Sequence, residues 1–137
     1  MPNYSDYVNW RRTFHQFPEL SDKEYETTKR LKRILESFDI TILDVPLETG
    51  LVAEIGRGEP VIAVRTDIDA LPINEQVVHE FTSTNEGEMH ACGHDIHMAS
   101  ILGVATQLKE LENELSRRVR IMFQASEELG QGAIRLS

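Results

Sequence analysis

"VIAVRTDIDALP", Val61 to Pro72, passes from four apolar residues directly into an acidic segment. A continuously apolar run is typical of a central strand that is covered on both faces of a sheet. Because side chains alternate along a strand, Arg65, Asp67 and Asp69 are predicted to leave its end on the same side. This segment therefore predicts a buried strand that delivers two carboxylates and a guanidinium to a sheet edge, although a surface ion pair before a proline turn has the same pattern.

Helices and short strands alternate on either side of this segment. Apolar residues at spacings of three and four predict a first helix that Pro18 ends, and Ser21 with Glu24 predicts a capping box for a second helix. β-branched runs predict four strands, at residues 40–45, 51–56, 61–67 and 117–124.

A hairpin turn is predicted in "GRGEP", between the second and third strands, and a third helix is predicted from Met98 to Leu108. Helices interleaved with buried strands predict a mixed α/β sheet with helices packed on its faces. In such sheets the chemistry collects where strands end and loops begin.

Composition limits the classes of partner. The chain has 137 residues and a net charge of −9, so it lacks the basic face that nucleic acid or an anionic membrane requires. No apolar stretch approaches the length of a membrane span and the N-terminus has no signal-peptide pattern, so a cytoplasmic location is expected. A single cysteine cannot form an internal disulfide, which leaves Cys92 as a buried thiol, a nucleophile or a metal ligand.

The segment "HACGHDIH", His90 to His97, concentrates the ligand types that zinc and its divalent neighbours prefer. Cys92 and His94 flank a glycine, so both can reach one ion, and His97 could share the helix face of His94. Asp95 is expected to orient a histidine by hydrogen bonding. A cysteine hydrolase with Cys92 as nucleophile is the rival interpretation, disfavoured because catalytic partners usually come from distant chain positions.

Two adjacent glutamates in "FQASEELGQGA", Glu127 and Glu128, follow the last predicted strand. A solvated acidic turn is the commoner meaning of such a pair. Together with the other two segments, however, one glutamate could bind metal while the other moves protons, as metal-assisted hydrolysis requires.

Four segments carry a family resemblance, in the order "HQFPELSDKEYET", "RTDIDALPINE", "MHACGHDIHMASILGVA" and "FQASEELGQGA". With them the chain resembles the N-terminal part of the metal-dependent amidohydrolases of the aminoacylase and carboxypeptidase family, which includes N-acyl-amino-acid amidohydrolases, hippurate hydrolases and N-acetyldiaminopimelate deacetylases. The usual family sequence around the two glutamates is close to "QPAEE", whereas this chain has "QASEE".

The resemblance implies a fold. Residues 1–137 would form the N-terminal part of a catalytic, metallopeptidase-like domain, a zinc-exopeptidase-like α/β/α sandwich with a mixed sheet. The sheet would be incomplete here, and the lid and dimerisation domain of the family would be absent from these residues.

The resemblance also implies site roles. Cys92, His94 and Glu128 look like ligands of a centre that holds two divalent ions in the complete family, whether zinc, manganese, cobalt or nickel. Glu127 resembles the general base that activates a metal-bound water, and Asp67 resembles a carboxylate that supports the site from behind the ligands.

The implied activity is that of an enzyme, a hydrolase of the deacetylase or aminoacylase type. It would cleave the amide bond of a small N-acyl amino acid, or alternatively act as a carboxypeptidase on short peptides, and homo-oligomerisation is compatible with either. The alternative of a different class is a truncated, non-catalytic metal-binding remnant or interaction fragment.

Overall fold

Helices and strands follow one another along the chain in the predicted order. The computed structural model describes all residues, Met1–Ser137. The helices are α1 (Tyr4–Gln16), α2 (Tyr25–Ser37), α3 (His94–Glu110) and α4 (Gly132–Leu136). The strands are β1 (Thr41–Ile42), β2 (Leu51–Ile55), β3 (Ile62–Asp67) and β4 (Val119–Gln124). None of the helices is long and apolar enough to cross a membrane.

The four strands form one mixed sheet in the order β1-β2-β4-β3. β1 and β2 are antiparallel, as are β2 and β4, whereas β3 and β4 run parallel, with Asp67 opposite Gln124 at their ends. Because β3 and β4 run parallel, the loops that follow them leave the sheet at the same end. The predicted mixed α/β sheet is therefore confirmed, and all strands among residues 1–137 belong to it.

A single apolar core lies between one face of the sheet and the helices. Alternate residues of β2 and β4 point into it, as the period of a strand requires. They are Leu51, Ala53, Ile55, Val119, Ile121 and Phe123. Helices α2 and α3 pack on these strands and α1 packs against α3, so Phe14, Leu31 and Met98 complete the core. The core thus holds the start of α3 against the end of the sheet.

Two expectations about strand pairing are wrong. The "GRGEP" segment is not a hairpin turn, because β4 lies between β2 and β3 and pairs with both. Strand β3 is not covered on both faces either, since it is the edge strand among these residues and Ile62 is 45% exposed. Only its last two residues, Thr66 and Asp67, are buried.

The predicted capping box of α2 is also absent. The helix begins at Tyr25 and has no side-chain cap. Ser21 instead donates a hydrogen bond from Oγ to Asp69 Oδ2 at 2.6 Å. Glu24 is fully buried and accepts a hydrogen bond from the backbone N–H of Ser126 at 2.7 Å. Both side chains therefore bind distant loops rather than their own helix.

Gly50 is expected to be a fold-critical glycine at the start of β2. Its φ is +81° and a Cβ there would lie 2.6 Å from the carbonyl oxygen of Phe123, whereas Gly87 has a φ of +78° with no atom within 4 Å. Both Gly→Ala changes carry the cost of a left-handed conformation. Overpacking adds about 1–3 kcal/mol, so Gly50→Ala should lower the free energy of unfolding by about that much more than Gly87→Ala. Urea denaturation of both variants measures the difference, and equal midpoints would contradict it.

Candidate metal centre

Three segments that are far apart in the sequence meet at one end of the sheet. The end of β3 supplies Asp67 and Asp69, the start of α3 supplies His94 with Cys92 just before it, and the loop after β4 supplies the two glutamates. The parallel pairing of β3 and β4 brings the first and third segments together. Buried strands that each end in acidic residues predicted this meeting of strand ends.

His94 is the centre of the cluster. It is 2% exposed, and its Nδ1 lies 2.8 Å from the backbone carbonyl oxygen of Asp69. A carbonyl can only accept, so Nδ1 carries the hydrogen and the other ring nitrogen, Nε2, is left to face the site. Three carboxylates surround that nitrogen, at 3.5 Å for Asp67, 3.7 Å for Glu127 and 3.6 Å for Glu128.

The charge around His94 shows what the cluster attracts. Burial lowers the pKa of this histidine, but the hydrogen bond to Asp69 and the charge of Asp67 outweigh burial and raise the pKa to about 8. A positive charge at Nε2 is therefore strongly favoured by the surrounding carboxylates. A divalent cation at the same position would satisfy the same carboxylates while using the nitrogen as a ligand.

Cys92, His94 and Glu128 offer a set of atoms that fits a transition metal. Their ligand atoms lie within 4.8 Å of one another. Glu128 Oε1 is shielded from solvent and has no hydrogen-bond partner, which is costly unless a cation satisfies it. Thiolate, imidazole and carboxylate together suit zinc and its divalent neighbours.

The environment of Cys92 disfavours a thiol nucleophile. The side chain is exposed. The neighbouring Glu128 carboxylate raises the pKa of the thiol, and the charges of Glu127 and Asp67 act in the same direction. A reactive cysteine needs an electropositive environment that lowers the thiol pKa. A bound metal ion would supply that environment, whereas the protein alone supplies the opposite.

Glu127 and Asp67 both lie near His94 Nε2 but differ in their exposure to solvent. The Glu127 side chain is 35% exposed, and its other oxygen, Oε1, lies 3.9 Å from the guanidinium of Arg65. Asp67 is buried, and its Oδ1 accepts a hydrogen bond from His97 Nδ1 at 2.7 Å. Of the two carboxylates, Glu127 is therefore the more accessible to water.

Several supporting residues were missed or left without a role by the sequence analysis. Asp69 is 1% exposed, and its Oδ2 accepts hydrogen bonds from Ser21 Oγ at 2.6 Å and from the backbone N–H of Glu128 at 3.0 Å. Glu24 binds the N–H of Ser126, which adopts a positive φ of 53° just before the glutamate pair. The segment before α2 thus shapes the turn that presents both glutamates.

Asp95 does contact a histidine, but not one of the candidate ligands. Its carboxylate binds His15 of α1 and the guanidinium of Arg11, at 2.8 Å and 2.9 Å. The expectation that Asp95 orients a histidine of the metal cluster is therefore wrong, because the histidine that it binds is His15, which the sequence patterns did not point to. The only sequence signal was the position of His15 in the first of the four segments that carry the resemblance.

An open mixed sheet with thiol, imidazole and carboxylate groups converging at its strand ends defines an α/β protein with a candidate metal centre. The chain belongs to Peptidase family M20/M25/M40, which matches residues 63–137. The resemblance noted from the sequence is thereby confirmed, and so is the expected fold class, of which these residues form the N-terminal part.

Similar proteins are considerably longer than this chain. N-acetylcysteine deacetylase of Bacillus subtilis (strain 168) is 55% identical over 129 residues, which cover 92% of this chain and 34% of that protein. N-acyl-L-amino acid amidohydrolase of Geobacillus stearothermophilus is 42% identical over 130 residues, covering 93% of this chain and 35% of that protein. The chain therefore spans about a third of the length of these curated relatives.

A solved structure shares the fold closely. The Bacillus subtilis YXEP protein, a dinuclear metal-binding peptidase from the M20 family, superimposes with a TM-score of 0.93 at 52% sequence identity. The match covers 96% of this chain and 38% of that one. The backbone fold of these residues is therefore that of a known member of the family.

Proposed function

We propose that residues 1–137 form the N-terminal part of the catalytic domain of a metal-dependent hydrolase that cleaves the amide bond of N-acyl amino acids. The observation that carries the proposal is the buried His94, whose Nε2 faces three carboxylates beside the Cys92 thiol. The relatives named as a deacetylase and an amidohydrolase support this substrate class. Short peptides are the second candidate substrate, because the matching family is a peptidase family.

Cys92, His94 and Glu128 would hold a divalent ion. Zinc, manganese, cobalt and nickel all accept this ligand set, and the dinuclear relative supports two ions per site. When bound, such an ion polarises the amide carbonyl and lowers the pKa of water. Asp67 would support the centre without being one of these three ligands, since its carboxylate faces His94 and accepts a hydrogen bond from His97.

Glu127 is the proposed general base. Its Oε2 lies on the side of His94 Nε2 and its side chain is partly exposed, so it can reach a water molecule entering the site. The carboxylate would take a proton from that water as hydroxide attacks the amide carbon, and then give the proton to the leaving amine as the C–N bond breaks. Asp67 is a poorer base by position, because it is buried and bonded to His97.

Cys92→Ala is expected to remove stoichiometric metal from the purified chain. Loss of the thiolate removes one of three ligands, and His94 and Glu128 alone bind transition metals weakly. Metal content after mild dialysis, measured by mass spectrometry beside wild type, checks this. His79→Ala is the matched control, since it removes a histidine from a separate cluster and should leave the metal content unchanged.

Hydrolysis of N-acetyl amino acids, assayed on the same samples, separates the two classes of function. Metal together with turnover would support a working amidohydrolase centre in these residues. Metal without turnover would favour a metal-binding fragment that needs further chain for catalysis. Equal metal content in wild type and Cys92→Ala would overturn the ligand assignment.

A further inference from the structure

A second buried cluster of ionisable side chains joins α1, the loop between β3 and α3, and the first turn of α3. It consists of Arg11, His15, Glu75, His79 and Asp95. His15 is 3% exposed, Asp95 is 1% exposed and the side chain of Glu75 is 4% exposed. Burying ionised groups is costly unless each is paired, so the protonation of this cluster is tightly constrained.

His15 lies between two carboxylates. Its Nδ1 is 2.8 Å from Asp95 Oδ2 and its Nε2 is 2.8 Å from Glu75 Oε2. The other oxygen of Glu75 accepts the backbone N–H of Ser83 at 2.7 Å. Burial raises the pKa of Glu75, but these hydrogen bonds outweigh burial and hold the pKa at about 2, so the group is a carboxylate that only accepts.

Asp95 Oδ2 already accepts a hydrogen bond from Arg11 Nε at 2.9 Å, so it is an acceptor toward His15 as well. Both ring nitrogens of His15 therefore donate. An imidazole with two N–H donors is an imidazolium cation. Arg11 and His15 then contribute two positive charges and Asp95 and Glu75 two negative charges, so the buried cluster is neutral. Charge-assisted hydrogen bonds of this kind are roughly twice as strong as those between neutral groups.

The cluster is not a second metal site, even though His15, Glu75 and His79 are close enough to hold an ion. The backbone N–H of Phe81 lies 3.3 Å from Nδ1 of His79, so that nitrogen accepts and Nε2 carries the hydrogen. His79 Nε2 then donates to Glu75 at 2.9 Å. Neither histidine has a lone pair left on the nitrogen that faces Glu75.

Asp95 connects this cluster to the candidate metal centre. It follows His94 directly in the first turn of α3, and its carboxylate is held by His15 and Arg11 at the same oxygen, Oδ2. His94 itself is held through Nδ1 by the carbonyl oxygen of Asp69. Rotation of this turn would break charge-assisted hydrogen bonds on one side and the His94 hydrogen bond on the other.

We infer that His15 is a positioning residue of the metal centre: its imidazolium anchors Asp95, and through Asp95 it fixes the direction in which His94 presents Nε2. This role rests on the proposed function of His94 as a metal ligand. Groups that orient ligands from outside the coordination sphere typically change metal affinity by about 10–100-fold when they are removed.

Two substitutions of His15 separate its two hydrogen bonds. The amide nitrogen of asparagine occupies the place of Nδ1, so His15→Asn keeps the bond to Asp95 and loses the bond to Glu75. The amide nitrogen of glutamine occupies the place of Nε2, so His15→Gln keeps Glu75 and loses Asp95. His15→Gln is expected to weaken Zn²⁺ binding by about 10–100-fold, while His15→Asn binds Zn²⁺ close to wild type.

Zn²⁺ affinity is measured by competition with a chelator, and the thermal midpoint of each variant is measured alongside. His79→Ala is the control, because it removes a donor to Glu75 without touching Asp95; it should lower the midpoint and leave Zn²⁺ affinity unchanged. Equal Zn²⁺ affinity in the two His15 variants would overturn the positioning role. If the substitutions act only through a general loss of stability, Zn²⁺ affinity should fall in all three variants, and most in the variant whose thermal midpoint falls most. That result would also overturn the positioning role.

Nitrogen-15 NMR of the histidine rings gives a readout that needs no metal. In wild type the two hydrogen bonds of His15 predict a hydrogen on each ring nitrogen, and a His15 ring with one bare nitrogen would contradict the inference. The Nδ1–H signal of His94 should persist in His15→Asn and broaden or shift in His15→Gln. If wild type binds no Zn²⁺, the proposed function fails, while these ring signals still decide whether His15 positions His94.

Discussion

Glu127→Gln is expected to lower the rate of amide hydrolysis by about 10²–10⁴-fold while leaving the amount of bound metal unchanged. Glutamine keeps the size of the side chain and one acceptor oxygen, but it cannot take a proton from water. The side chain of Glu127 makes no hydrogen bond and is 35% exposed. The change should therefore remove proton transfer without disturbing the surrounding loop.

The adjacent glutamate provides the matched control. The backbone N–H of Glu128 is bound to Asp69, and its Oε1 is sheltered and unpartnered beside His94. Glu128→Gln replaces an anionic ligand by a neutral one, so this variant should lose metal as well as activity. The two substitutions are identical in chemistry and adjacent in sequence, so the contrast between them tests the division of roles.

A longer protein is the best setting for the assay, because the chain spans about a third of its relatives. A chimera joins residues 1–137 to the part of N-acetylcysteine deacetylase that lies outside the match, and the two proteins are 55% identical over the shared part. Hydrolysis of N-acetylcysteine and metal content are measured on the same preparations. Loss of metal in Glu127→Gln, or turnover close to wild type, would contradict a role for Glu127 as general base.

Local patterns predicted the helices and strands well. Helix α1 follows from the spacing of Tyr7, Trp10 and Phe14, and the β-branched runs became β2 and β3. Which strands pair was not predictable from turn chemistry. The turn-like "GRGEP" segment connects strands that β4, much later in the chain, separates. Strand order depends on packing between distant parts of the chain, and a local turn pattern carries no information about it.

In the candidate site, too, residues close together in the sequence could be predicted, whereas contacts between distant segments could not. Cys92 and His94 could be proposed because they are close in sequence, and the glutamates because they are adjacent. Ser21 and Glu24 have the spacing of a capping box, yet they bind Asp69 and Ser126 instead. The Asp69 carboxylate and the backbone N–H of Ser126 bind these side chains in place of the helix, and only the folded chain brings the partners together.

Asp69→Asn is expected to lower the free energy of unfolding by about 3 kcal/mol and to reduce metal binding. The carboxylate is 1% exposed, accepts hydrogen bonds from Ser21 and from the backbone of Glu128, and lies 3.2 Å from His94 Nδ1. An asparagine amide must place an NH₂ group against one of these donors. The NH₂ group and one of the existing donors would then face each other without an acceptor between them. The turn that presents Glu128 would be held less firmly, because the hydrogen bond from its backbone N–H to Asp69 is weakened or lost.

Urea denaturation near neutral pH measures the loss, with Asp44→Asn as a control that removes the same charge from an exposed position. The pH dependence of this difference in unfolding free energy shows whether the charge or the shape of the Asp69 side chain stabilises the fold. Burial raises the pKa of Asp69, but its hydrogen bonds with His94, Ser21 and the Glu128 backbone lower the pKa below 3.8 overall. A carboxylate with a lowered pKa stabilises the fold fully above 3.8, and this contribution is lost as the pH falls through the lowered value.

The difference in unfolding free energy between wild type and Asp69→Asn should therefore persist at mildly acidic pH and shrink as the pH falls below 3.8. Protonated Asp69, like asparagine, carries a donor and no charge, so the two proteins become alike once the carboxyl group is protonated. A difference that stays constant in strong acid would show that the shape of Asp69, and not its charge, holds the glutamate turn against the end of β3.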